Sequence, residues 1–596
     1  MNIELFLSTQ LSPIINELFG LSSTPNDIIL QKTKKEFEGD YTLVTFPFIK
    51  AAKTTPEKTG ELIGEKLILS NSLIEKFNVV KGFLNISLSN NFWLSEFKSI
   101  SKDANYGIKP YKSSGKQIML EYSSPNTNKP LHLGHVRNNL LGFAVASILK
   151  TQGHDVIKVN LVNDRGIHIC KSMIAWKLFG NGETPLSSGI KGDHLVGKYY
   201  VEFDKAFKKE IQTLIANGIS KEEAERQAPI MIKTQEMLLK WEANDPETIA
   251  LWKMMNSWVY DGFQVSYKKL GVDFDSIYYE SNTYLLGKEI VQEGLSKGIF
   301  YKKDNGSICI DLTNDGLDEK VVLRSDGTSV YITQDLGTAI ERFKEFPTIN
   351  QMIYTVGNEQ DYHFKVLFKI LSKLGYDWAD ECYHLSYGMV ELPEGKMKSR
   401  EGTVVDADDL IDGMVFTAKE TTEESGKVAN FNDDEKEELY HTIGMGALKY
   451  FILKVDPKKK MLFDPKESID LHGNTGPFIQ YAHARIKSIL RDFNKSTESL
   501  TISDDILLHD KEKELIKFQY DFPKILEESA NSFNPAIVAN YTYELAKLFN
   551  QFYNECSVLK EDNQSIKDFR IKLIESTARI IKNSMECLGI KVPERM

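Results

Sequence analysis

The chain has 596 residues, of which 41% are hydrophobic and 26% charged, a composition typical of a folded globular protein of several domains rather than a disordered chain. Its 73 basic and 84 acidic residues give a net charge of −11, which argues mildly against a nucleic-acid partner but does not exclude local basic patches. Because it shows no apolar run of membrane-spanning length, no targeting pattern and only five isolated cysteines, we expect a cytoplasmic protein with no membrane contact and no structural zinc.

The first 110 residues are predicted to form a separate α+β domain. An amphipathic first helix precedes two strand-like segments, Thr42–Phe48 and Val79–Leu88. A helical pattern at Pro56–Ile68 lies between them. These alternating patterns distinguish the domain from the purely helical pattern at the other end of the chain.

The most informative stretch of the sequence reads EYSSPNTNKPLHLGHVR and covers residues 121–137. A short apolar run before it predicts a strand, and apolar residues at three- and four-residue spacing after it predict a helix. Between them, His132 and His135 flank Gly134 in a tight loop. Backbone N–H groups at a helix start bind anions, and a glycine lets a ligand approach closely. The pattern indicates a polyphosphate site, although this tetrapeptide alone also fits two ordinary histidines at a helix start.

The strand–helix order continues after this loop. A second strand is predicted at Asp155–Leu161, so the chain has the βαβ order of a doubly wound parallel sheet. A charged, amphipathic helical insertion follows at about 180–274, and its tryptophans are expected in the core. Two β-hairpins are then predicted, at residues 299–312 and 321–331.

The segment Ser329–Asp335 is predicted to be a strand that carries substrate specificity. Alternation would place Tyr331, Thr333 and Asp335 on one face, so that a phenol and a carboxylate line the same wall. Asp335 is the candidate carboxylate for binding a substrate. Asp335 is alternatively the N-cap of a helix beginning at Leu336, and the two roles can coexist.

A second loop, which is cationic, follows later in the chain. It spans Gly395–Gly402, reads GKMKSREG, and follows a strand-like segment at residues 383–390. Beyond Val405 the apolar residues keep helical spacing to the end of the chain, which predicts a C-terminal helical bundle. The predicted domains are an α+β domain at residues 1–110, a doubly wound α/β domain at 111–405, a helical connector at 406–470 and a helical bundle at 471–596.

These motifs together resemble the class I aminoacyl-tRNA synthetases, whose sequence marks are written HIGH and KMSKS, and among them the arginyl-tRNA synthetases. The narrower resemblance rests on segments that follow one another in the expected order over nearly the whole chain: SSPNTNKPLHLGHVRNN, VNDRGIH, SVYITQDLG, NEQDYHF, GKMKSREGTVV and NTGPFIQYAHARI. It implies a ligase that activates L-arginine with ATP and transfers it from arginyl-adenylate to the 3′-terminal ribose of tRNA(Arg). It also implies an N-terminal tRNA-binding domain at residues 1–110, a Rossmann-like catalytic domain at 111–405 and an anticodon-binding domain at 471–596. ATP as MgATP and a monomer are implied as well.

The resemblance also assigns roles to individual residues. Arginine would be bound by Glu121, Ser124, Pro125, Asn126, His135, Tyr331, Asp335 and Gln360. Carboxylates hold a guanidinium best in planar geometry, so Asp335 is the candidate for that role and Glu121 the candidate second carboxylate. ATP would be bound by His132, Gly134, His135, Gly388, Met389, Lys396, Met397, Lys398 and Ser399. The residues assigned to catalysis are Lys129, His132, Gly134, His135, Lys396 and Lys398.

Two further assignments concern the KMSKS pattern and tRNA. Ser399 stands where the family pattern has its second lysine, and in arginyl enzymes a lysine before the HIGH motif is thought to supply that charge; Lys129 has this place. Phe83 and Asn85 match an aromatic ring and an amide that contact an unpaired tRNA nucleotide. Phe83 is alternatively a core residue of a strand, and Asn85 a turn residue.

Three other functions remain compatible with parts of the sequence. A small-molecule adenylyltransferase uses a similar histidine loop, but it needs neither the second lysine loop nor a long helical C-terminal domain. A non-catalytic, synthetase-like RNA-binding protein would tolerate damage to the ATP motifs, which are intact here. Another class I synthetase, such as the cysteinyl type, would be expected to carry zinc-ligand cysteines, which this chain lacks.

Overall fold

The structure is a computed structural model that describes residues 2–284, 286–328, 330–393, 405–424, 426 and 428–596. These residues form two compact units. One unit contains Met1–Tyr106, Arg485–Pro523 and Glu544–Ile581, and the other contains Gly107–Ala484, Lys524–Tyr543 and Lys582–Met596. Within the described ranges, no helix combines the length and the apolarity that a membrane crossing requires.

Strands and helices are numbered here in chain order. The strands are β1 (Leu30–Lys32), β2 (Tyr41–Val44), β3 (Ile74–Val80), β4 (Phe83–Leu88), β5 (Gln117–Glu121), β6 (Asp155–Val162), β7 (Ser276–Tyr279), β8 (Tyr301–Lys302), β9 (Ile308–Ile310), β10 (Lys320–Leu323), β11 (Ile349–Gly357), β12 (Cys382–Tyr387), β13 (Val390–Glu391) and β14 (Met461–Leu462). The helices up to the central sheet's last strand are α1 (Ile3–Phe19), α2 (Ile49–Ala52), α3 (Pro56–Ser70), α4 (Asn90–Lys102), α5 (Leu133–Thr151), α6 (Ile167–Phe179), α7 (Pro185–Ser188), α8 (Gly192–Ala216), α9 (Lys221–Gln227), α10 (Pro229–Glu242), α11 (Pro246–Leu270), α12 (Glu280–Thr283), α13 (Gly287–Ser296), α14 (Tyr331–Glu345) and α15 (Asp361–Leu374). The remaining helices are α16 (Ala407–Glu424), α17 (Asp433–Leu453), α18 (Pro465–Ser468), α19 (Gly476–Phe493), α20 (Asp510–Tyr520), α21 (Phe522–Ser532), α22 (Pro535–Glu555) and α23 (Gln564–Cys587).

A five-stranded parallel sheet forms the centre of the larger unit, with strand order β12-β11-β5-β6-β7. The chain runs outward from β5 through β6 to β7 and then returns to β11 on the other side of β5. This reversal places a topological switch point at the carboxyl ends of β5 and β11, where open parallel sheets bind their ligands. The fold class predicted from the sequence is confirmed by this sheet together with the antiparallel N-terminal sheet and the helical C-terminal part.

The N-terminal sheet has the order β1-β2-β4-β3 and is antiparallel. The single strand predicted at Val79–Leu88 is wrong, because the segment turns back within it. Lys81 and Gly82 both have left-handed backbone, with φ of 49° and 79°, and this two-residue turn separates β3 from β4. The strand predicted at Thr42–Phe48 ends early, at Val44, because a 3₁₀ turn containing Pro47 follows it.

The smaller unit joins this sheet domain to part of the C-terminal helices. The hydroxyl of Tyr106 donates to the backbone oxygen of Tyr520 at 3.0 Å, and Arg579 donates to the backbone oxygen of Ile100 at 2.7 Å. Phe97 packs edge-on against Phe569, with 5.3 Å between ring centroids. The N-terminal domain and these C-terminal helices are therefore packed together by buried aromatic rings and by hydrogen bonds.

The prediction of a strand at Ser329–Asp335 is wrong, and so is the second hairpin at residues 321–331. Ser329 lies outside the described residues, Val330 is the N-cap, and α14 begins at Tyr331. β10 pairs with β9 instead of with a following strand. Ile332, Leu336, Ala339 and Ile340 lie at helical spacing in the core cluster around β11, so burial of this face stabilises a helix.

Candidate active site

The loop after β5 is held by hydrogen bonds from distant elements. Ser123 and Ser124 both have left-handed backbone, with φ of 85° and 45°, a conformation that is unfavourable for serine. The Asn138 side-chain oxygen accepts from the Ser123 N–H at 2.5 Å, and that of Asn160 accepts from the Ser124 N–H at 2.9 Å. Asn163 donates its N–H to the Pro125 oxygen at 2.9 Å. The shape of the loop is therefore imposed by α5 and by the end of β6.

The two imidazoles at the start of α5 form a pair of N–H donors. His132 is the N-cap: its Nδ1 accepts from the Gly134 N–H at 3.1 Å, and the Nδ1 of His135 accepts from the His132 N–H at 3.2 Å. An accepting Nδ1 requires the proton of a neutral ring to be on Nε2. Burial lowers the pKa of His132 to about 4 and lowers that of His135, so both rings are neutral near pH 7. Each ring therefore presents one Nε2–H donor, as a phosphate site requires.

Lys129 lies close to this histidine pair. Its charge acts on both rings and lowers the pKa of each further, after the larger effect of burial. The side chain is half-buried, and the backbone of the following Pro130 packs against Gly197 of α8. The structure thus brings the predicted lysine and both predicted histidines to one place.

The segment after β12 is fixed to α5 by one buried arginine. Arg137 donates to the backbone oxygens of Met389 at 3.0 Å and Lys459 at 2.9 Å. A Cβ on Gly388 would lie 2.7 Å from the Lys459 backbone, so a glycine is needed there for close chain approach. Met389 is exposed and lies at the carboxyl end of the sheet, next to the predicted phosphate loop.

Tyr331 and Asp335 share a face of α14 because they are one helical turn apart, not because they alternate along a strand. Tyr331 is 77% exposed, and the carboxylate of Asp335 lies 2.7 Å from Nε2 of His363. Thr333 does not join them, because it is buried and its hydroxyl donates to the Val322 oxygen. Asp335 is also not an N-cap, since the helix begins four residues earlier.

Glu121 has a partner inside the protein. The buried Arg342 of α14 forms an ion pair with its carboxylate, and the guanidinium lies over the Tyr278 ring at 4.8 Å. The Ser124 hydroxyl donates to Glu121 at 3.3 Å. The charge that the sequence assigned to a bound arginine is therefore compensated by a resident arginine.

Glu280, which the sequence analysis missed, is the second carboxylate near Asp335. It follows β7 directly, and burial raises its pKa to about 7, with Asp164 and Asp335 raising it further and Arg165 opposing them. The Arg165 guanidinium lies 3.9 Å from it and also 3.9 Å from the ring centroid of Tyr284. The only signal for Glu280 in the sequence is that it is an acidic residue at the carboxyl end of a short strand.

Asp164 holds Glu280 in place. It accepts hydrogen bonds from the N–H of Ser281 at 2.8 Å, from the Ser281 hydroxyl at 2.7 Å and from Tyr260 at 2.9 Å. Asp164 is buried at the end of β6, within the predicted VNDRGIH motif. The motif therefore acts on the site through the start of α12.

The other predicted site residues divide into three groups. Gln360 and Asn126 are exposed at the carboxyl ends of the sheet, near the loops already described. Lys396, Met397, Lys398 and Ser399 lie outside the described residues. In the other unit Phe83 is 37% exposed and packs edge-on against Phe46, whereas Asn85 is buried between Thr42 and Asn78.

Comparison with known families gives matches along nearly the whole chain. The matching families are "Arginyl tRNA synthetase N terminal domain" over residues 6–88, "tRNA synthetases class I (R), catalytic domain" over 98–464 and "DALR anticodon binding domain" over 479–596. Their order is the order of the parts seen in the structure.

Curated relatives and solved structures agree with these matches. An arginine–tRNA ligase from Flavobacterium psychrophilum is 56% identical over 100% of both chains, and one from Bacteroides thetaiotaomicron is 55% identical over 98% of both. The arginyl-tRNA synthetase structure from Thermus thermophilus superimposes with a TM-score of 0.79 at 23% identity, over 100% of both chains. That from Plasmodium falciparum gives 0.77 at 22% identity, over 100% of this chain and 99% of the other.

Proposed function

The chain belongs to the arginyl-tRNA synthetases, and we propose how its residues carry out the arginine–tRNA ligase reaction of that family. The observation that carries the proposal is the pair of neutral imidazoles at the start of α5, with both Nε2–H groups available at the switch point of the sheet. A non-catalytic relative would have no need for this tautomer pair. The matches to the class I catalytic domain and to the anticodon binding domain agree with ATP use and with tRNA(Arg) as partner.

Adenylate formation needs no protein nucleophile. The arginine carboxylate attacks the α-phosphorus of ATP, one P–O bond forms as another breaks, and pyrophosphate leaves with the electron pair. The protein positions the reactants and stabilises charge on the phosphates. We assign the N–H donation to His132 and His135 and a pyrophosphate contact to Lys129, with Lys396 and Lys398 as further cationic contacts. Mg²⁺ enters with ATP as part of that substrate.

The adenine of ATP is assigned to the wall formed by Gly388 and Met389. Arg137 ties this wall to α5, so adenine contact and phosphate contact would be set by one rigid element. The neighbouring Lys459 backbone fills the side of Gly388 where a Cβ would stand, which leaves Met389 as the exposed surface for the base.

The arginine side chain is assigned to the carboxylates of Asp335 and Glu280 and to the phenol of Tyr331. Two spaced carboxylates match the donors of a planar guanidinium, and a lysine ammonium cannot satisfy both. Glu280 takes the role first assigned to Glu121, whose charge Arg342 compensates. Ser124, Pro125, Asn126, His135 and Gln360 remain candidates for the rest of the bound amino acid.

Transfer of the arginyl group requires tRNA to reach the site. The hydroxyl of the terminal ribose attacks the carbonyl carbon of the adenylate, and AMP leaves. Phe83 is the candidate for stacking on an unpaired tRNA base, because its ring is partly exposed. Asn85 is buried and bonded on both sides, so we assign it to the support of the hairpin.

The cellular setting is proposed as a monomer in the cytoplasm. All five cysteines, each within the described residues, are buried thiols without a disulfide, which fits a reducing compartment. Size-exclusion chromatography with light scattering tests the monomer, and a dimer mass would contradict it.

The test of the proposed function is exchange of pyrophosphate into ATP with each of the standard amino acids, with and without total tRNA. We expect exchange with arginine and with no other amino acid. Exchange with lysine would contradict the carboxylate pair, and RNA binding without any exchange would favour a non-catalytic role.

A further inference from the structure

A partly buried group of opposite charges lies at the start of α8, in the insertion that the sequence predicted only as helical packing. Lys191 lies 3.0 Å from the carboxylate of Asp193 and 2.5 Å from that of Asp408. Nε2 of His194 lies 3.3 Å from both Asp406 and Asp408. We call these five residues the α8 cluster.

The carboxylates of the α8 cluster are neutralised by cationic side chains of the protein itself. Asp193, His194 and Asp408 have ligand atoms within 4.8 Å of one another, which is metal-ligand spacing, but the Lys191 ammonium contacts two of the three. Lys269 of α11 adds a contact to Asp408 at 3.9 Å and pairs with Asp412 at 2.9 Å. A lysine thus supplies the positive charge that a metal ion would otherwise supply.

The segment that carries Asp406 pairs with the backbone of the phosphate loop. The Leu133 N–H donates to the Val405 oxygen at 3.0 Å, and the Ala407 N–H donates to the Leu131 oxygen at 2.9 Å. These bonds pair Asp406 with His132 across a short antiparallel bridge. Contacts that fix the position of Asp406 therefore also fix the backbone of His132, the N-cap of α5.

The same helix contacts the other end of the phosphate loop. A Cβ on Gly197 would lie 2.9 Å from Cδ of Pro130 and 3.7 Å from Cα of Lys129. Only a glycine admits the loop this closely without a shift. α8 therefore touches the loop before the histidines through Gly197, and supports the segment opposite His132 through Lys191 and His194.

We propose that Lys191 and His194 are positioning residues for the nucleotide: from α8 they hold Asp406 and Asp408, and through the backbone bridge they set the orientation of His132. The proposal rests on the assignment of His132, His135 and Lys129 to the phosphates of ATP. It gives the helical insertion a role in catalysis that its sequence pattern did not indicate. Neither residue contacts a reacting atom.

The charge of His194 should make the positioning of His132 by the α8 cluster depend on pH. The interaction with Asp408, supported by Asp193 and Asp406, raises the pKa of His194 above its ordinary value in spite of burial and of the neighbouring charge of Lys191. A raised pKa means that the stabilising charge is present below the ordinary value and is lost as the pH rises through the folded one. We therefore expect the affinity for ATP to fall as the pH rises through this raised pKa.

The test compares His194→Gln, His194→Lys and Lys191→Gln with Lys208→Gln in pyrophosphate exchange with arginine and saturating tRNA. Lys208 lies on the same helix in an exposed pair with Asp204, so its removal is a matched control. We expect KM for ATP to rise about tenfold in His194→Gln and Lys191→Gln, with KM for arginine within about twofold of wild type. His194→Lys should restore a low KM and move the alkaline loss to higher pH.

Gly197→Ala tests the other contact of α8 without changing a charge. We expect KM for ATP to rise in this variant too, at every pH, because the added Cβ displaces Pro130 and Lys129. Equal KM for ATP in wild type, His194→Gln and Gly197→Ala would overturn the inference. Equal rises in KM for ATP and arginine would also overturn it and leave a purely structural role.

Failure of the proposed function gives a different result. If wild type performs no exchange with arginine and tRNA, the assignment of ATP chemistry fails first. ATP binding by the full-length variants, measured by calorimetry without arginine, then still decides the inference. A weaker affinity in His194→Gln than in Lys208→Gln supports it, and equal affinities overturn it.

Discussion

The two halves of the active site are built in different ways. The nucleotide half, from Glu121 to Arg137, is held by hydrogen bonds from several distant elements, and its two histidines have one defined tautomer. The amino-acid half has an exposed tyrosine and two carboxylates whose partners are His363 and Arg165. The difference teaches that the half proposed for the nucleotide is defined by backbone shape, whereas the half proposed for arginine is defined by charged side chains.

One ion pair joins the two halves, and its loss should have the largest effect. Replacing Glu121 by Gln leaves the buried guanidinium of Arg342 without a counter-charge, which costs about 3 kcal/mol of unfolding free energy. It should also raise KM for both ATP and arginine, because the ion pair connects the end of β5 with α14. Denaturant unfolding and exchange kinetics measure the two effects.

The exposed pair of Lys58 and Glu61 supplies the control for that variant. Glu61→Gln should change the stability by less than about 1 kcal/mol, as exposed pairs do. If Glu121→Gln were no more harmful than Glu61→Gln, the ion pair would not connect the halves.

The substitution Asp335→Asn tests the amino-acid half separately from the nucleotide half. We expect the specificity constant for arginine to fall at least about tenfold, or ~1.4 kcal/mol, while KM for ATP is unchanged. Glu341→Gln, on the exposed side of the same helix, should have wild-type kinetics. A near wild-type constant for Asp335→Asn would leave this carboxylate only its contact with His363.

Titration of Glu280 should act on arginine alone. Its pKa is raised to about 7, chiefly by burial, so the carboxylate that binds a guanidinium is neutral at lower pH and charged at higher pH. We expect arginine affinity to increase up to about tenfold as the pH rises from about one unit below this pKa to one unit above. This trend is opposite in sign to that expected for ATP through His194.

The control for this titration is Glu280→Gln. The variant should bind arginine more weakly and without that pH dependence, as measured by calorimetry over the same range. A pH dependence that survives in Glu280→Gln would assign the titration to another group.

The smallest effect is expected outside both halves, at Phe83. Phe83→Ala should raise the dissociation constant for tRNA roughly fivefold, about 1 kcal/mol for one lost stacking contact. KM for arginine and ATP should not change at saturating tRNA. Asn85→Ala should instead lower stability, because it removes the buried hydrogen bonds that Asn85 makes with Thr42 and Asn78. Unchanged tRNA affinity in Phe83→Ala would assign that ring to packing against Phe46.

The nucleotide half could be predicted from sequence because its signals are local. A short apolar run, a cluster of turn residues and helical spacing follow one another within residues 117–150, and the structure places β5, the loop and α5 there. The strand predicted at Ser329–Asp335 failed because seven residues rich in Val, Tyr, Ile and Thr fit both periods. Burial of Ile332 and Leu336 against the sheet stabilises the helix, and this burial cannot be inferred from the sequence of the segment alone.

Other features depended on contacts between distant residues. Glu280 acquires its raised pKa from burial and from Asp335, and Glu121 acquires its partner from α14. Lys191 and His194 contact Asp406 and Asp408, which lie far from them in the sequence and outside the insertion. A sequence shows the residue types in such cases, but not which charges will face each other.

The most direct test of the two-half account is a crossed titration of ATP and arginine, each alone, against wild type, Asp335→Asn and Lys129→Ala, with and without tRNA. The account predicts that Asp335→Asn loses affinity for arginine at least about tenfold with an unchanged ATP affinity, and that Lys129→Ala does the reverse. A variant that weakens both ligands equally would contradict it, because the site would then behave as one cooperative unit.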